Sequence, residues 1–250
     1  LHVRSRRQRQ MCIRDRPTTV YIKLKMDRDD VVDITSFDVI EWQRAEMRSQ
    51  LNKELALAML LGDGRIASSD DKINEQNIRP VVSDEDMYTI KYTIKEGTDY
   101  KIKGSSYSDN DSEYKGVIRG AVKARKDYKG SGRPTFYTTE DVLTNLLLLE
   151  DQNGRVIYES EEKLATAMRV SKIVTIPEME NHKDIYGIIV NMADYTAGAD
   201  KGGAVNTFDD FDIDYNQMKY LMETRMSGAL TTPYSCLLYT SDAADDSLRV

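Results

Sequence analysis

The sequence predicts an α+β fold, in which helices and strands follow one another without a regular βαβ alternation. Two patterns carry this prediction. Residues 20–26 alternate apolar and polar side chains with a period of two, as a strand with one buried face does. Residues 36–61 repeat apolar side chains at helical spacing, and a helix of that length extends for about 40 Å, which is long for a globular protein. We therefore expect one long structural helix and a separate mixed sheet.

Both ends of the chain are interpreted as translated sequencing adapter, so we expect residues 1–16 and 236–250 not to be native protein. Residues 6–16 resemble one reading frame of a transposase-end adapter, and residues 236–246 resemble its reverse complement. A single index, GTAAGGAG, accounts for the flanking residues at one end and, as its reverse complement, at the other. The native part then covers about 17–235 and is expected to be truncated on both sides.

Composition changes once the two ends are set aside. The ends hold seven of the 35 Lys and Arg and four of the 42 Asp and Glu, which leaves 28 basic and 38 acidic residues and a formal net charge of −10. This acidic balance argues against a broad phosphate-binding surface. Cys12 and Cys236 both lie in the ends, so disulfide, zinc-thiolate and Cys-nucleophile chemistry is not expected. The longest apolar run, residues 146–149, is far short of the roughly 20 residues that span a bilayer.

The remaining elements follow from the same patterns of capping and periodicity. Gly62-Asp63-Gly64 ends the long helix, and a polar loop leads to Pro80. Residues 104–111 are polar and rich in Ser, which predicts a mobile loop. Strands are predicted at residues 88–94, 135–137, 170–176, 185–192 and 218–225, and helices after Ser112 and at residues 140–150. Thr35 or Ser36 is the predicted N-cap of the long helix, and residues 163–165 lie in a Glu-rich segment.

A series of motifs follows the long helix. It comprises the turn Gly62-Asp63-Gly64, the strand and polar helix start at residues 134–141, the turn Asn153-Gly154-Arg155, the segment 168–174, and a closing stretch, 220–233, that contains Glu223-Thr224-Arg225 and ends in Pro233. The order of these motifs resembles the tailed-phage major capsid family, whose members share the Hong Kong 97-type fold. The resemblance covers essentially the whole native interval.

This resemblance implies a domain organisation. Residues 17–80 would form the strand and spine helix of a peripheral domain, and residues 81–213 a mixed-sheet axial domain around the capsomer symmetry axis. Residues 214–235 would return to the peripheral domain. The N-terminal arm of the family and much of its extended loop would lie upstream of residue 17, and the last residues of its C-terminal strand would also be missing.

The resemblance also implies a function without catalysis. The chain would be a structural subunit of an icosahedral capsid that self-assembles into pentamers and hexamers around double-stranded DNA. Scaffolding, portal and decoration proteins are the implied partners. No cofactor, metal, membrane or specific nucleic-acid site is expected, and the protein would reside in the virion after assembly in the host bacterial cytoplasm. The alternatives are an encapsulin-like nanocompartment shell and a soluble carboxylate-based α+β enzyme.

Three segments have residue types that suggest chemistry. The acidic run 209–214 does not match a calcium loop, because Asp214 and Tyr220 stand where Gly and Glu are needed, and a solvated turn or subunit-contact loop is expected instead. Residues 198–203 lack the spacing of a phosphate-binding loop and predict a flexible turn. His182 lies among carboxylates and suggests either acid–base chemistry or, as we favour, a charged surface turn.

Two further hypotheses concern contacts between copies. Some members of the capsid family form Lys–Asn isopeptide links assisted by a Glu, and Asn216 and Glu223 occupy matching positions here. The partner Lys would lie in the missing extended loop. The alternative is that both are ordinary residues at a strand start and on a solvent face. Five arginines are candidates for ion pairs across subunits, or else are solvated charges: Arg44, Arg48, Arg119, Arg125 and Arg225.

Overall fold

The structure is a computed structural model that describes residues 13, 17–29, 39–66, 68–69, 72–104, 112–200 and 203–241. Within these residues the chain forms helices and strands in comparable amounts, which confirms the predicted α+β class. It divides into two compact units. Unit 1 comprises Leu1–Ser83 and Thr196–Ala229, and unit 2 comprises Asp84–Tyr195 and Leu230–Val250. None of the helices in the described ranges is both long and apolar enough to cross a membrane.

The elements are named in chain order. The helices are α1 (Val39–Leu60), α2 (Glu113–Ala124), α3 (Glu140–Leu147) and α4 (Glu161–Met168). The strands are β1 (Thr18–Asp27), β2 (Thr89–Thr93), β3 (Thr135–Thr138), β4 (Ile173–Thr175), β5 (Ile185–Val190), β6 (Tyr195–Ala199), β7 (Asn206–Asp212), β8 (Gln217–Leu230) and β9 (Cys236–Thr240).

Unit 1 is built on β8, which pairs with β1, β6 and β7. Strand β1 runs antiparallel to β8 with Thr18 opposite Met226 and Asp27 opposite Gln217. Helix α1 supplies a buried stripe at a spacing of three or four residues, and this stripe packs against the apolar face of the sheet. The members of this core include Met47, Leu51, Leu55 and Ala58 of the helix and Val20, Tyr220 and Met222 of the strands.

The long helix is confirmed as one continuous element of 22 residues. Its predicted N-cap, Thr35 or Ser36, lies outside the described residues. At the other end the backbone turns at Gly62, whose φ of +102° lies in the left-handed region that favours glycine. Asp63 then closes the following loop, because its carboxylate accepts from the Ile73 N–H at 2.7 Å and from Lys72 Nζ at 3.1 Å.

Unit 2 contains a five-stranded mixed sheet with the order β2-β9-β5-β3-β4. Strands β2 and β9 are parallel, as are β3 and β4, whereas β5 is antiparallel to both of its neighbours. Helices α2, α3 and α4 contribute to the main core beside the sheet, where the fully buried side chains include Phe136, Leu146, Leu164 and Met168.

Several predicted boundaries differ from the structure. Residues 209–214 were expected to form a solvated turn or subunit-contact loop, but residues 209–212 lie in β7, and residues 198 and 199 of the turn expected at 198–203 lie in β6, because both strands pair with β8. This pairing places Thr196–Ala229 in unit 1, whereas the predicted axial segment extended to residue 213. Helix α4 was expected only as a Glu-rich segment, although Ser160 caps it by accepting from the Lys163 N–H. The predicted loop at 105–111 lies outside the described residues.

Strand β9 consists of residues that the sequence assigns to adapter. It lies between β2 and β5, one strand in from the edge of the sheet of unit 2, and Cys236, Leu237, Leu238 and Tyr239 are buried there. A strand that is buried on both faces needs apolar side chains and a backbone to pair, and these residues supply both whatever their origin. The assignment of residues 236–250 to adapter therefore stays a prediction.

Candidate subunit-contact surface

The sheet of unit 1 has a second face, on the side opposite α1, that we term the outer face. Side chains alternate along each strand, so the neighbours of the buried residues point to this side. Strand register brings them into rows: Tyr21 lies opposite Glu223, and Lys23 lies opposite Leu221, which in turn lies opposite Phe208. The outer face is therefore mixed, with apolar and charged side chains side by side.

A shallow depression of about 330 Å³ lies in the middle of the outer face. Phe208 and Leu221 line it from adjacent strands, and Lys23, Lys25 and Lys219 also line it. Phe208 is 53% exposed, which is high for a phenylalanine in a paired strand. The depression thus combines an apolar floor with lysines of β1 and β8 and with Asp210 of β7.

The turn between β7 and β8, residues 213–216, exposes two large apolar side chains. Ile213 is 84% exposed and Tyr215 is 71% exposed. Asn216 has a φ of +52°, a left-handed conformation that Asn tolerates better than most residues, and its carbonyl accepts from the Arg28 N–H at 3.2 Å. Hairpin turns are usually made of small polar residues, so two large apolar side chains at this turn are unusual.

Charges at the base of this hairpin are partly neutralised within the chain. Lys219 forms an ion pair with Asp212, and Gln217 donates to the Asp27 carboxylate at 2.6 Å. The hydrogen bond from Lys219 lowers the pKa of Asp212, and the same bond raises the pKa of Lys219. Both groups therefore remain charged at neutral pH.

The acidic run does not gather its carboxylates at one point. Asp209 lies opposite Tyr220 and points to the side of α1, whereas Asp210 lies opposite Lys219 and points to the outer face with Asp212. Among the residues that the structure describes, no group of three or more His, Cys, Asp or Glu side chains could hold a metal ion. The prediction of a solvated turn was wrong for most of the run, since residues up to Asp212 form β7.

The two cross-link candidates are separated along the strand. Asn216 lies in the turn, while Glu223 is half-buried in β8 opposite Tyr21. Seven residues of nearly extended chain place the two side chains about 20 Å apart. Glu223 therefore cannot contact Asn216 of the same copy, and the covalent link stays a prediction.

His182 occupies a turn, consistent with the interpretation that we favoured. It follows the short 3-10 helix Pro177–Asn181 and is half-buried. Its backbone N–H donates to the Met179 carbonyl at 2.9 Å, and its own carbonyl accepts from the Ile185 N–H at 3.0 Å. These two backbone hydrogen bonds hold His182 in the turn that leads into β5.

Three of the five arginines that were candidates for ion pairs across subunits have partners inside their own unit. Arg225 pairs with Asp200 at 3.2 Å in unit 1. In unit 2, Arg119 donates to the Asp99 carbonyl at 3.0 Å, and the Arg125 guanidinium lies 4.2 Å from the centre of a tyrosine ring, that of Tyr128. The other two candidates, Arg44 and Arg48, are exposed on α1, and the Arg44 guanidinium lies at the outer limit of a cation–π contact, 6.0 Å from the centre of the Tyr220 ring.

A buried carboxylate in unit 2 was not anticipated from the sequence. Asp99 accepts hydrogen bonds from Lys123 Nζ at 2.8 Å, from the Tyr92 hydroxyl at 2.8 Å and from the Lys95 N–H at 3.1 Å. Burial opposes ionisation, but these donors outweigh it and hold the pKa of Asp99 below its usual value. Burial together with the same carboxylate raises the pKa of Tyr92 to about 12. The cluster ties the turn after β2 to α2.

Comparisons with known proteins give structural matches alone. No protein-family model matches the chain, and no curated protein matches it. Among solved structures, the capsid of an empty GTA particle, computed with C5 symmetry, is similar with a TM-score of 0.62 and 13% identity over 91% of this chain and 74% of that one. A structure from Mycobacterium phage Bobi has a TM-score of 0.57 and 13% identity over 91% and 72%.

A virus-like particle from Pyrococcus furiosus is also similar. Its TM-score is 0.54, with 12% identity over 89% of this chain and 76% of that one. Identities this low establish the fold and leave the activity open. The matches extend over nine tenths of the chain and so include both units. The chain therefore has the Hong Kong 97-type fold of phage capsid proteins, as the resemblance in its sequence implied.

Proposed function

We propose that the chain is a structural subunit of a tailed-phage icosahedral capsid. The observation that carries this proposal is the capsid fold, which matches over 91% of the chain. Pentamers and hexamers of this subunit would enclose double-stranded DNA, and the protein would reside in the virion after assembly in the host bacterial cytoplasm. Scaffolding, portal and decoration proteins are the partners that this role would require.

A shell subunit works through its surfaces. Copies related by rotation must bury different patches against one another, since heterologous contacts of this kind close into rings. We assign unit 1 to the peripheral domain and unit 2 to the axial domain. The exposed outer face and hairpin turn of unit 1 supply surface for contacts between copies. The apolar core of unit 2 gives the subunit a stable shape.

The acidic balance of the native interval is compatible with enclosing DNA. A net charge of −10 would repel phosphate, so the inner wall would contain the DNA without binding it through a specific site. This charge is compatible with shells that assemble empty and are filled with DNA afterwards, as the shells of the tailed-phage major capsid family are.

The decisive experiment is expression of the complete gene that contains this chain, followed by electron microscopy of the purified product. We expect closed shells with rings of five and six subunits. Their interior should contain DNA or be large enough to hold it. A variant that disrupts the core of unit 2, Leu164→Asp, provides the control and should give no shells. A folded gene product that remains monomeric in all assembly conditions would refute the proposal.

An encapsulin-like nanocompartment is the alternative within the same fold. The similarity to the virus-like particle from Pyrococcus furiosus keeps it open, because the fold alone does not distinguish what a shell encloses. Particle contents would separate the two: nuclease-protected DNA supports the phage capsid, and a co-purifying cargo enzyme supports the compartment. Neighbouring terminase and portal genes, or a cargo gene, would give the same distinction.

A soluble carboxylate-based enzyme is the alternative from a different class. It would use carboxylates of the acidic run, yet Asp209 points away from Asp210, and Asp212, which shares the outer face with Asp210, is paired with Lys219. Acid–base catalysis by two carboxylates requires that both reach one substrate. Turnover or metal binding by a monomeric protein would support this alternative.

The isopeptide link forms a separate hypothesis about the same shell. Because Asn216 and Glu223 of one copy lie about 20 Å apart, the assisting Glu would have to come from another copy. Denaturing electrophoresis of intact particles tests the link. A ladder of covalent multimers that disappears in Asn216→Ala would support it, and monomer bands alone would exclude it.

A further inference from the structure

We propose that the β7–β8 turn of one copy docks into the outer-face depression of a second copy of this chain. The turn contributes Ile213, Asp214 and Tyr215, which we term the hairpin tip. The depression contributes Phe208 and Leu221 together with basic side chains on β1 and β8. This inference rests on the proposed shell function, because it specifies one of the contacts between subunits that such a shell needs.

The hairpin tip has the character of a buried surface although it is exposed in a single copy. Ile213 and Tyr215 lie two residues apart and are 84% and 71% exposed. Asp212 stabilises the turn by accepting from the Asp214 N–H at 3.2 Å, so the tip is held in a defined conformation. A preorganised apolar tip loses little conformational entropy on docking.

The depression is suited to receive this tip. Phe208 and Leu221 lie directly opposite each other on adjacent strands and form a continuous apolar floor. The volume of about 330 Å³ accommodates a large side chain such as that of Tyr215. Docking would remove apolar surface from water on both partners, which is the main favourable term in association between proteins.

Charges at the two surfaces are complementary on the β1 side of the depression, whereas Asp210 borders its β7 side. Lys219 already pairs with Asp212 of its own hairpin, whereas Lys23 and Lys25 border the depression from β1. The tip brings Asp214 beside its apolar residues, so its carboxylate would meet these two lysines. Complementary charges of this kind fix the register of an interface more than they add to its affinity.

A single copy cannot make this contact with itself. The turn begins after Asp212, whereas the centre of the depression lies at Phe208, about 13 Å back along the same paired strand. The tip and the depression are therefore different surfaces of one unit. Contacts between unlike surfaces are heterologous and can repeat from copy to copy, as the rings of a shell require.

The test uses the complete gene product and compares shell assembly among four variants by sedimentation and electron microscopy. Ile213→Ser with Tyr215→Ser removes the apolar tip, Asp214→Lys reverses its charge, and Lys23→Glu with Lys25→Glu reverses the depression. Each is expected to lower the assembled fraction by about tenfold or more. Combining Asp214→Lys with the two Lys→Glu changes restores opposite charges in every contact and is expected to restore assembly.

Ile66→Ser serves as the matched control, because Ile66 is an exposed apolar residue of the same unit outside the hairpin. Circular dichroism checks that each variant is folded. If the wild-type protein forms shells and the tip variants form them equally well, or if the combined charge reversal does not restore assembly, this inference is overturned while the shell function stands. If the folded wild-type protein forms no shells, the shell function itself fails.

Discussion

The outer face of unit 1 and the buried carboxylate sites of unit 2 place their charged residues differently. In unit 2 the carboxylates of Asp99 and Asp194 are buried and bound by donors of the same unit, for example the Ser131 N–H at 2.7 Å from Asp194. In unit 1 the charged residues of the sheet lie on an exposed face. Large apolar side chains lie next to them, Phe208 on the strand and Ile213 at the turn.

Because of this difference, we expect substitutions at the buried carboxylates of unit 2 to affect stability, and substitutions on the outer face of unit 1 to affect contacts with other copies. A buried carboxylate that loses its donors leaves an unsatisfied charge, so unit 2 should be sensitive to changes at these positions. Exposed pairs contribute little to the free energy of unfolding, because water screens them. Unit 1 should therefore tolerate changes on its outer face while losing contacts with other copies. The two units can be compared directly with matched substitutions.

The largest effect is expected from phenylalanine truncation. Phe136 on β3 is fully buried in the core of unit 2, so Phe136→Ala should lower the free energy of unfolding by about 4 kcal/mol. The measurement is the urea midpoint followed by circular dichroism.

Phe208→Ala is the control in unit 1. Because this side chain is about half exposed, its loss should lower the free energy of unfolding by only about 1 kcal/mol, mainly through the contact with Leu221. The same variant should reduce assembly if the outer face is a contact surface. Equal destabilisation by the two substitutions would mean that the outer face belongs to a core, and the contrast between the units would be lost.

The second effect concerns the buried carboxylate of unit 2. Asp99→Asn weakens the hydrogen bond with Lys123 and removes the charge that the cluster is built around, so a loss of about 2 kcal/mol is expected at neutral pH. Asp212→Asn removes the carboxylate that pairs with the half-exposed Lys219 and should cost clearly less than Asp99→Asn. Chemical denaturation of both variants beside the wild-type protein measures the difference.

The pH dependence of the stability of the wild-type protein and of Asp99→Asn gives a third prediction. The folded protein lowers the pKa of Asp99 below 3.8, the value for the unfolded chain, so the stabilisation is complete above that pH. As the pH falls from 3.8 through the folded pKa, the carboxylate takes up a proton and the stabilisation is lost. The stability difference between wild type and Asp99→Asn should therefore be constant near neutrality and shrink in acid. A difference that grew in acid would contradict the cluster.

Patterns with strong periodicity were predictable from the sequence. The helix around Leu51 and the strand around Ile22 each carry an apolar repeat that matches their geometry, and both were confirmed. The order of motifs along the chain also led to the correct capsid fold. Local patterns succeed here because the repeat and the buried face belong to the same element.

Features that depend on pairing between distant segments could not be predicted in the same way. Strand β7 has four Asp or Asn residues among seven, a composition typical of turns, yet its pairing with β8 makes it a strand. The contact between Phe208 and Leu221 arises from that register alone. The donors to Asp99 likewise come from separate elements, β2 and α2 among them.

The place of strand β9 in the sheet could not be predicted from the sequence either. The prediction that concerns this strand has the smallest expected effect on stability. Tyr239 is fully buried in the sheet of unit 2, between β2 and β5, and its hydroxyl has no hydrogen-bond partner. A buried hydroxyl without a partner costs free energy, because the folded state does not replace its bond to water. Such an orphan is expected in a strand whose sequence was not selected for its place, which is what the adapter interpretation of residues 236–250 predicts.

Tyr239→Phe should therefore raise the free energy of unfolding by about 1 kcal/mol. Tyr92→Phe is the matched control, because its hydroxyl donates to Asp99 at 2.8 Å and its removal should lower the same quantity by about 1 kcal/mol. Urea midpoints of the two variants, measured beside the wild-type protein, give opposite signs if this view of unit 2 is correct. A loss of stability in Tyr239→Phe equal to that in Tyr92→Phe would show that the hydroxyl of β9 has a partner after all, and that the strand fits its place as well as β2 does.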